Sequence, residues 1–177
     1  MQRLNENIFH LYNKWKDGYV RKENSVNLML NNLIDNFPYL KNDLKISENG
    51  KSVDIIGGVN IGGHAVFVVQ DKYLINGKLP FPFGECKCDY YIEADLKSLD
   101  GSPKKVDGGF YCIRCKSITS LKGISEEISG DLDIVSTPIT SLEYFPKYIG
   151  GNIEMDSRLE GEKIPDGVVI KGKIKYV

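Results

Sequence analysis

The apolar positions of this chain change period once, near residue 41, and that change divides it. Before it they recur at helical spacing: Ile8, Phe9, Leu11, Tyr12 and Trp15 form one set, and Val26, Met29, Leu30, Leu33, Ile34 and Phe37 a second. An i, i+3, i+4, i+7 recurrence predicts two amphipathic helices, separated at Gly18 and stopped at Pro38, with Ser25 or Asn24 placed to cap the second. After residue 41 the period falls to two. Gly109, Gly130, Gly151 and Gly172 follow one another at intervals of 21 residues. In each unit the second and fourth residues after the glycine are apolar: Tyr111 and Ile113, Leu132 and Ile134, Ile153 and Met155, Ile174 and Tyr176. Alternation of this kind predicts a strand with one buried face, and its repetition predicts a solenoid in which each coil covers the next.

The repeat can be followed backwards. Gly84 places Cys86 and Cys88 at the apolar positions, Gly63 places Ala65 and Phe67 there, and Asn42 places Leu44 and Ile46. Seven strand starts result: 42, 63, 84, 109, 130, 151 and 172. Between strands, Leu96-Lys-Ser-Leu99, Ile118-Thr-Ser-Leu121 and Ile139-Thr-Ser-Leu142 align, each followed by an apolar residue (Val106, Ile128, Ile149) before the next strand. Their apolar ends predict a returning arm that points inward, with Thr or Ser bonding the turning backbone. Pro103, Ser125 and Pro146 share one slot of that arm. Residues 79–83 form a proline-rich arm instead, and 47–58 read as an extra hairpin. The expected organisation is therefore α+β: a helical cap at 1–41 and a repeat solenoid at 42–177, regular from about 79, folding as one cooperative unit because an uncapped end would leave a core layer in water.

The motif from Leu96 to Ile113, together with its repeats, resembles leucine-rich repeats, especially short divergent arrays of bacterial and bacteriophage proteins. The resemblance is clear over 79–177 and weak over 42–78. It implies a right-handed, curved stack of about seven short parallel strands whose concave sheet binds protein. The repeats, together with the lack of catalytic chemistry, lead to the expectation of a non-enzymatic inhibitor or adaptor, phage-encoded and acting on a host bacterial protein. The chain departs from the usual repeat in having a short arm and no obvious asparagine ladder, which points to a flatter, β-solenoid-like stack. No helix per repeat is expected.

Charge narrows the partner. With 23 Lys and Arg against 24 Asp and Glu among 177 residues, the net charge is −1, whereas a chain that neutralises phosphates carries a basic excess, so nucleic acid is disfavoured. No apolar run reaches the length of a membrane span, and the N-terminus lacks a signal pattern, so a cytoplasmic location and no membrane association are expected. In that compartment the four cysteines are expected as reduced thiols. Cys86, Cys88, Cys112 and Cys115 nevertheless form C-x-C and C-x-x-C pairs, and the strand register decides what they can do. It turns Cys86, Cys88 and Cys115 inward and Cys112 outward, so the sulfurs would not converge on one metal. No metal or cofactor is expected. A zinc-dependent nucleic-acid binder built on these four residues is the weakest of three readings.

Nothing in the chain predicts an enzyme. His10 and His64 are isolated, the glycine pairs do not form a phosphate-binding loop, and no serine sits in a nucleophile elbow. What remains is a display. The outward positions of the strands are Lys45, Val66, Val68, Lys87, Asp89, Cys112, Arg114, Asp133, Val135, Glu154, Asp156 and Lys175. Lys87, Asp89, Arg114, Asp133, Glu154 and Asp156 are the expected protein-binding residues, and the acidic run suits a basic patch on the partner. Seven strands ~4.8 Å apart would give a face roughly 30 Å long. A self-assembling structural protein, pairing through the C-terminal strand 172–177, is the alternative.

Overall fold

The computed structural model describes residues 22–113 and 115–177. The first expected helix, with Trp15 and His10, and the expected site residue Arg114 lie outside the described residues.

Among the described residues one α-helix, α1, spans Lys22–Asn36. Val26, Met29, Leu30 and Leu33 are its buried stripe, at spacings of three, one and three, and they join the same hydrophobic cluster as the strands that follow. Each such side chain contributes about 1.5–3 kcal/mol when fully buried. The helix starts earlier than its apolar pattern, so that Asn24 and Ser25 lie within it and not before its first turn. It stops as expected. Pro38 begins a 3-10 turn over Pro38–Asn42.

The strands then build two sheets. The first strands are β1 (Leu44–Ile46), β2 (Val53–Ile55), β3 (Val59–Ile61) and β4 (His64–Gln70). They make two antiparallel hairpins, β1–β2 and β3–β4. The first is the hairpin expected over 47–58; the second turns on Gly62 and Gly63, both at positive φ, as a two-residue hairpin loop requires. Five coils follow, each with one strand in each sheet: β5 (Phe83–Cys86) and β6 (Asp89–Glu93), β7 (Lys105–Val106) and β8 (Phe110–Ile113), β9 (Glu127–Ile128) and β10 (Leu132–Asp133), β11 (Tyr148–Ile149) and β12 (Ile153–Met155), β13 (Val169–Ile170) and β14 (Ile174–Tyr176). The first sheet runs β1-β2-β5-β7-β9-β11-β13 and the second β3-β4-β6-β8-β10-β12-β14. Within each, every pairing between coils is parallel. The molecule is a β-solenoid of about five turns whose two faces share one core.

Stacking is in file. Phe67, Tyr90, Phe110, Leu132, Ile153 and Ile174 are paired one above the next across the second sheet. The steps between them are 23, 20, 22, 21 and 21 residues. The period of 21 therefore holds only for the last coils, and two expectations change. Gly84 lies in a strand of the first sheet, not the second, and Leu44–Ile46 is likewise in the first sheet and antiparallel. In the coil of Gly109 the inward residues are Phe110 and Cys112, while Tyr111 and Ile113 face out. Because Phe110-Tyr-Cys-Ile113 is apolar throughout, alternation alone could not choose its face.

The arms match closely. Leu96, Leu99, Ile118, Leu121, Ile139 and Leu142 are all buried. Ser98, Ser120 and Ser141 hydroxyls each accept the backbone N–H two residues on, at 3.0, 3.2 and 3.1 Å. Serine makes the turn bond; the neighbouring threonines are exposed. In the shared slot, Ser125 donates its hydroxyl to the Pro103 carbonyl of the previous coil at 2.6 Å.

A polar ladder runs beside the glycine column. The Asp89 carboxylate accepts from Gly109 N at 2.7 Å, Asp131 from Asn152 N at 2.6 Å, and Asn152 Oδ1 from Lys173 N at 3.0 Å. Aspartate holds two of these three ladder positions, so no run of asparagines marks the ladder along the chain.

Candidate interaction surface

The ladder fixes what the outer face of the second sheet presents. Register places two rows there. One carries Asp89, Gly109, Asp131, Asn152 and Lys173, and the other Val68, Tyr91, Tyr111, Asp133, Glu154 and Lys175. Tyr91 and Tyr111 stack, with ring centroids 4.2 Å apart and planes 21° from parallel. Tyr111 can lean across the first row because Gly109 has no side chain: a Cβ there would lie 2.5 Å from the Tyr111 ring and hydroxyl. The result is an open groove of about 560 Å³ lined by Ile61, His64, Val66 and Val68 from β3 and β4 and by Asp89, Tyr91, Glu93, Tyr111 and Asp131 from the coils that follow.

The electrostatics are those of a negative groove. Burial, then the nearby Asp89 carboxylate, push the Tyr111 phenol well above its usual range, with Asp131 adding to this. Burial and Asp89 also raise Tyr91. Asp133 is raised by burial, with the Glu154 charge beside it adding to the effect and the Val135 N–H opposing. Aromatic faces edged by carboxylates attract cations and repel phosphates.

The expected site residues divide. Asp89, Asp133 and Glu154 lie on the outer face as expected. Asp156 follows β12 and accepts from Ser136 N and from Arg158, each within 2.9 Å. Glu154 is paired with Lys175 at 2.9 Å. Lys87 does not face out of the sheet; it lies between β5 and β6, bridging Glu85 at 2.6 Å and Asp107 at 3.2 Å. The slip at Gly84 misplaced it. The same kind of slip hid Tyr91, Tyr111, Glu93 and Asp131. Gly-Asp at 130 and Gly-Asn at 151 repeat the ladder position, and aligning Gly108 with that pair would have turned Tyr111 outward.

The cysteines correct a second expectation. Cys112 is buried, and it is joined to Cys115 in a disulfide with Cα atoms 5.8 Å apart, so this pair is not two reduced thiols. The three-residue step from Cys112 in β8 to Cys115 leaves both cysteines in the core, within ordinary bridging range. Cys86 and Cys88 are free, their sulfurs 3.6 Å apart, and the Cys88 thiol together with burial keeps Cys86 protonated. Among the described residues no three His, Cys, Asp or Glu side chains gather as a metal group. Alkylation of the denatured, unreduced chain is expected to label two thiols and, after reduction, four; four labels without reduction would contradict the pairing.

No helix among the described residues is long and apolar enough to cross a membrane. Comparisons with protein-family models, curated proteins and solved structures returned no match.

Proposed function

We propose that this chain is a non-enzymatic binding module that recognises another protein through the outer face of its second sheet. The observation that carries the reading is the stacked Tyr91–Tyr111 pair standing in a groove beside an acidic row. Rigid aromatic side chains on a sheet give contact area at low entropic cost, and the row of Asp133 and Glu154 suits a basic partner surface. The leucine-rich-repeat resemblance adds the finer parts of the proposal: a right-handed winding, and an inhibitor or adaptor of phage type whose target is a host bacterial protein.

Affinity capture from bacterial lysate tests it with Tyr111→Ala and with Asp133→Lys/Glu154→Lys. The wild-type chain is expected to retain a stoichiometric protein that both variants lose by at least about tenfold, which corresponds to about 1.4 kcal/mol. Their thermal unfolding should stay within a few degrees of wild type. Equal capture by all three proteins sinks the proposal.

Self-association is a second reading, favoured by the half-buried Ile170, Ile174 and Tyr176 on the rung that includes β14. Light scattering that shows one mass across a wide concentration range removes it.

A further inference from the structure

The groove beside Tyr91 and Tyr111 carries more specific chemistry than a basic patch requires. Asp89 and Asp131 lie on either side of Gly109 in one row, two strands apart and therefore roughly 10 Å along the sheet. Each has one carboxylate oxygen held by a backbone N–H of the next coil, so its orientation is set by the fold and not by a mobile side chain. Neither takes part in an ion pair among the described residues, and Glu93 at the same wall has none either. The Tyr111 ring leans over the gap between them. Elsewhere on this face, Glu154 and Asp156 already hold Lys175 and Arg158. Asp133 on the same face is also unpaired and held by the Val135 N–H at 2.9 Å, but it does not line the groove; the unpaired, oriented carboxylates that do are Asp89 and Asp131.

We infer that the groove is a receptor for an arginine side chain carried on an extended segment of the protein partner. A guanidinium is planar and cationic: it stacks on an aromatic ring while its N–H groups donate to flanking carboxylates, which a lysine ammonium cannot do in one plane. The apolar wall of Ile61, Val66 and Val68 receives the aliphatic stem of the same side chain. This inference rests on the protein-binding reading above and names the residue that the partner contributes.

The ladder supplies the variant that separates charge from structure. Asn152 performs the backbone bond at the same register position with an amide oxygen. Asp89→Asn/Asp131→Asn therefore keeps the ladder and removes two charges. Three blocked peptides of identical length, containing one arginine, lysine or citrulline flanked by glycine, are titrated into the full chain at physiological salt. The Tyr91 and Tyr111 ring resonances report binding.

The arginine peptide is expected to shift both rings, with the lysine peptide at least about fivefold weaker and the neutral citrulline peptide not binding. The double variant should lose about tenfold in affinity. Glu160→Gln/Glu162→Gln, which removes the same charge from an exposed loop, should change it less than about twofold. Citrulline or lysine binding as well as arginine overturns the inference, as does an equal loss in the loop variant. Ring shifts produced by a neutral trisaccharide, or by none of the peptides, also overturn it. If partner capture is lost in Tyr111→Ala but kept in Asp89→Asn/Asp131→Asn, the arginine assignment fails while the binding face stands. Arginine-peptide binding without any captured protein fails the binding reading alone.

Discussion

Tyr90→Ala is expected to cost about 3–5 kcal/mol of unfolding free energy, the range for removing a fully buried aromatic ring. Tyr90 has no exposed surface and sits at the centre of an aromatic file, 5.4 Å from the Phe110 ring, 6.2 Å from Phe83 and 6.4 Å from Phe67. Removing it opens a cavity on both sides of a coil, and a solenoid cannot close such a gap without shifting every later rung. Tyr90→Phe should behave differently. The buried Tyr90 hydroxyl faces the buried Ser102 hydroxyl, neither reaches a partner with hydrogen-bond geometry among the described residues, and burial pushes the phenol well above its usual range, with Ser102 opposing. Deleting an unsatisfied hydroxyl while keeping the ring removes a desolvation cost, so Tyr90→Phe should be neutral or stabilising by about 1 kcal/mol. Urea unfolding of the three proteins measures both. A Phe variant as damaged as the Ala variant would show that the hydroxyl is bonded after all.

Gly130→Ala is the second large effect, at about 1–3 kcal/mol destabilising. Its Cβ would lie 2.7 Å from Gly109 N and 2.8 Å from the Gly108 carbonyl carbon, both of them backbone atoms that cannot rotate away. The coils would have to separate. Two bonds tie these backbones together: Gly130 N to the Gly108 carbonyl at 2.8 Å, and Gly151 N to the Gly130 carbonyl at 2.9 Å. Gly167→Ala is the control. Its Cβ would meet nothing within 4 Å, and only a positive φ of 85° opposes it, so about 1 kcal/mol is expected. Chemical unfolding ranks the two, and a Gly130 variant no worse than the Gly167 variant would remove the glycine column as a packing device.

These two effects explain why part of the fold was legible. The arms repeat a four-residue motif whose apolar ends are buried and whose serine bonds its own turn, so local chemistry alone fixes them. Leu132, Ile153 and Ile174 alternate cleanly with polar neighbours, and they stack as their spacing says. The helix over Lys22–Asn36 carries a stripe that only a helix explains. The first coils were harder. There the steps between stacked residues run from 20 to 23, and each one-residue slip turns a strand's side chains to the other face.

That sensitivity also governs the candidate site. Spacing puts Asp89, Asp133 and Glu154 on the outer face, where they lie, but it does not put Tyr91 and Tyr111 there, and it adds Lys87, which lies in the turn between β5 and β6. An apolar tetrad such as Phe110 to Ile113 carries no alternation, and only its neighbours in the stack decide which half is core. Cys112 follows the same logic: turned inward, it meets Cys115.

By itself the sequence determined the repeat, the strand-and-arm grammar of each coil, the helix at 22–36 and a nearly neutral charge, because these depend on contacts within one coil or one turn. The tertiary structure alone decided the division into two sheets, the register of the early coils, the aspartate ladder and the groove that holds two stacked tyrosines. Those features exist only between coils about 20 residues apart, where hydrogen bonds and side-chain volume from separate segments select one alignment among several that each segment would accept.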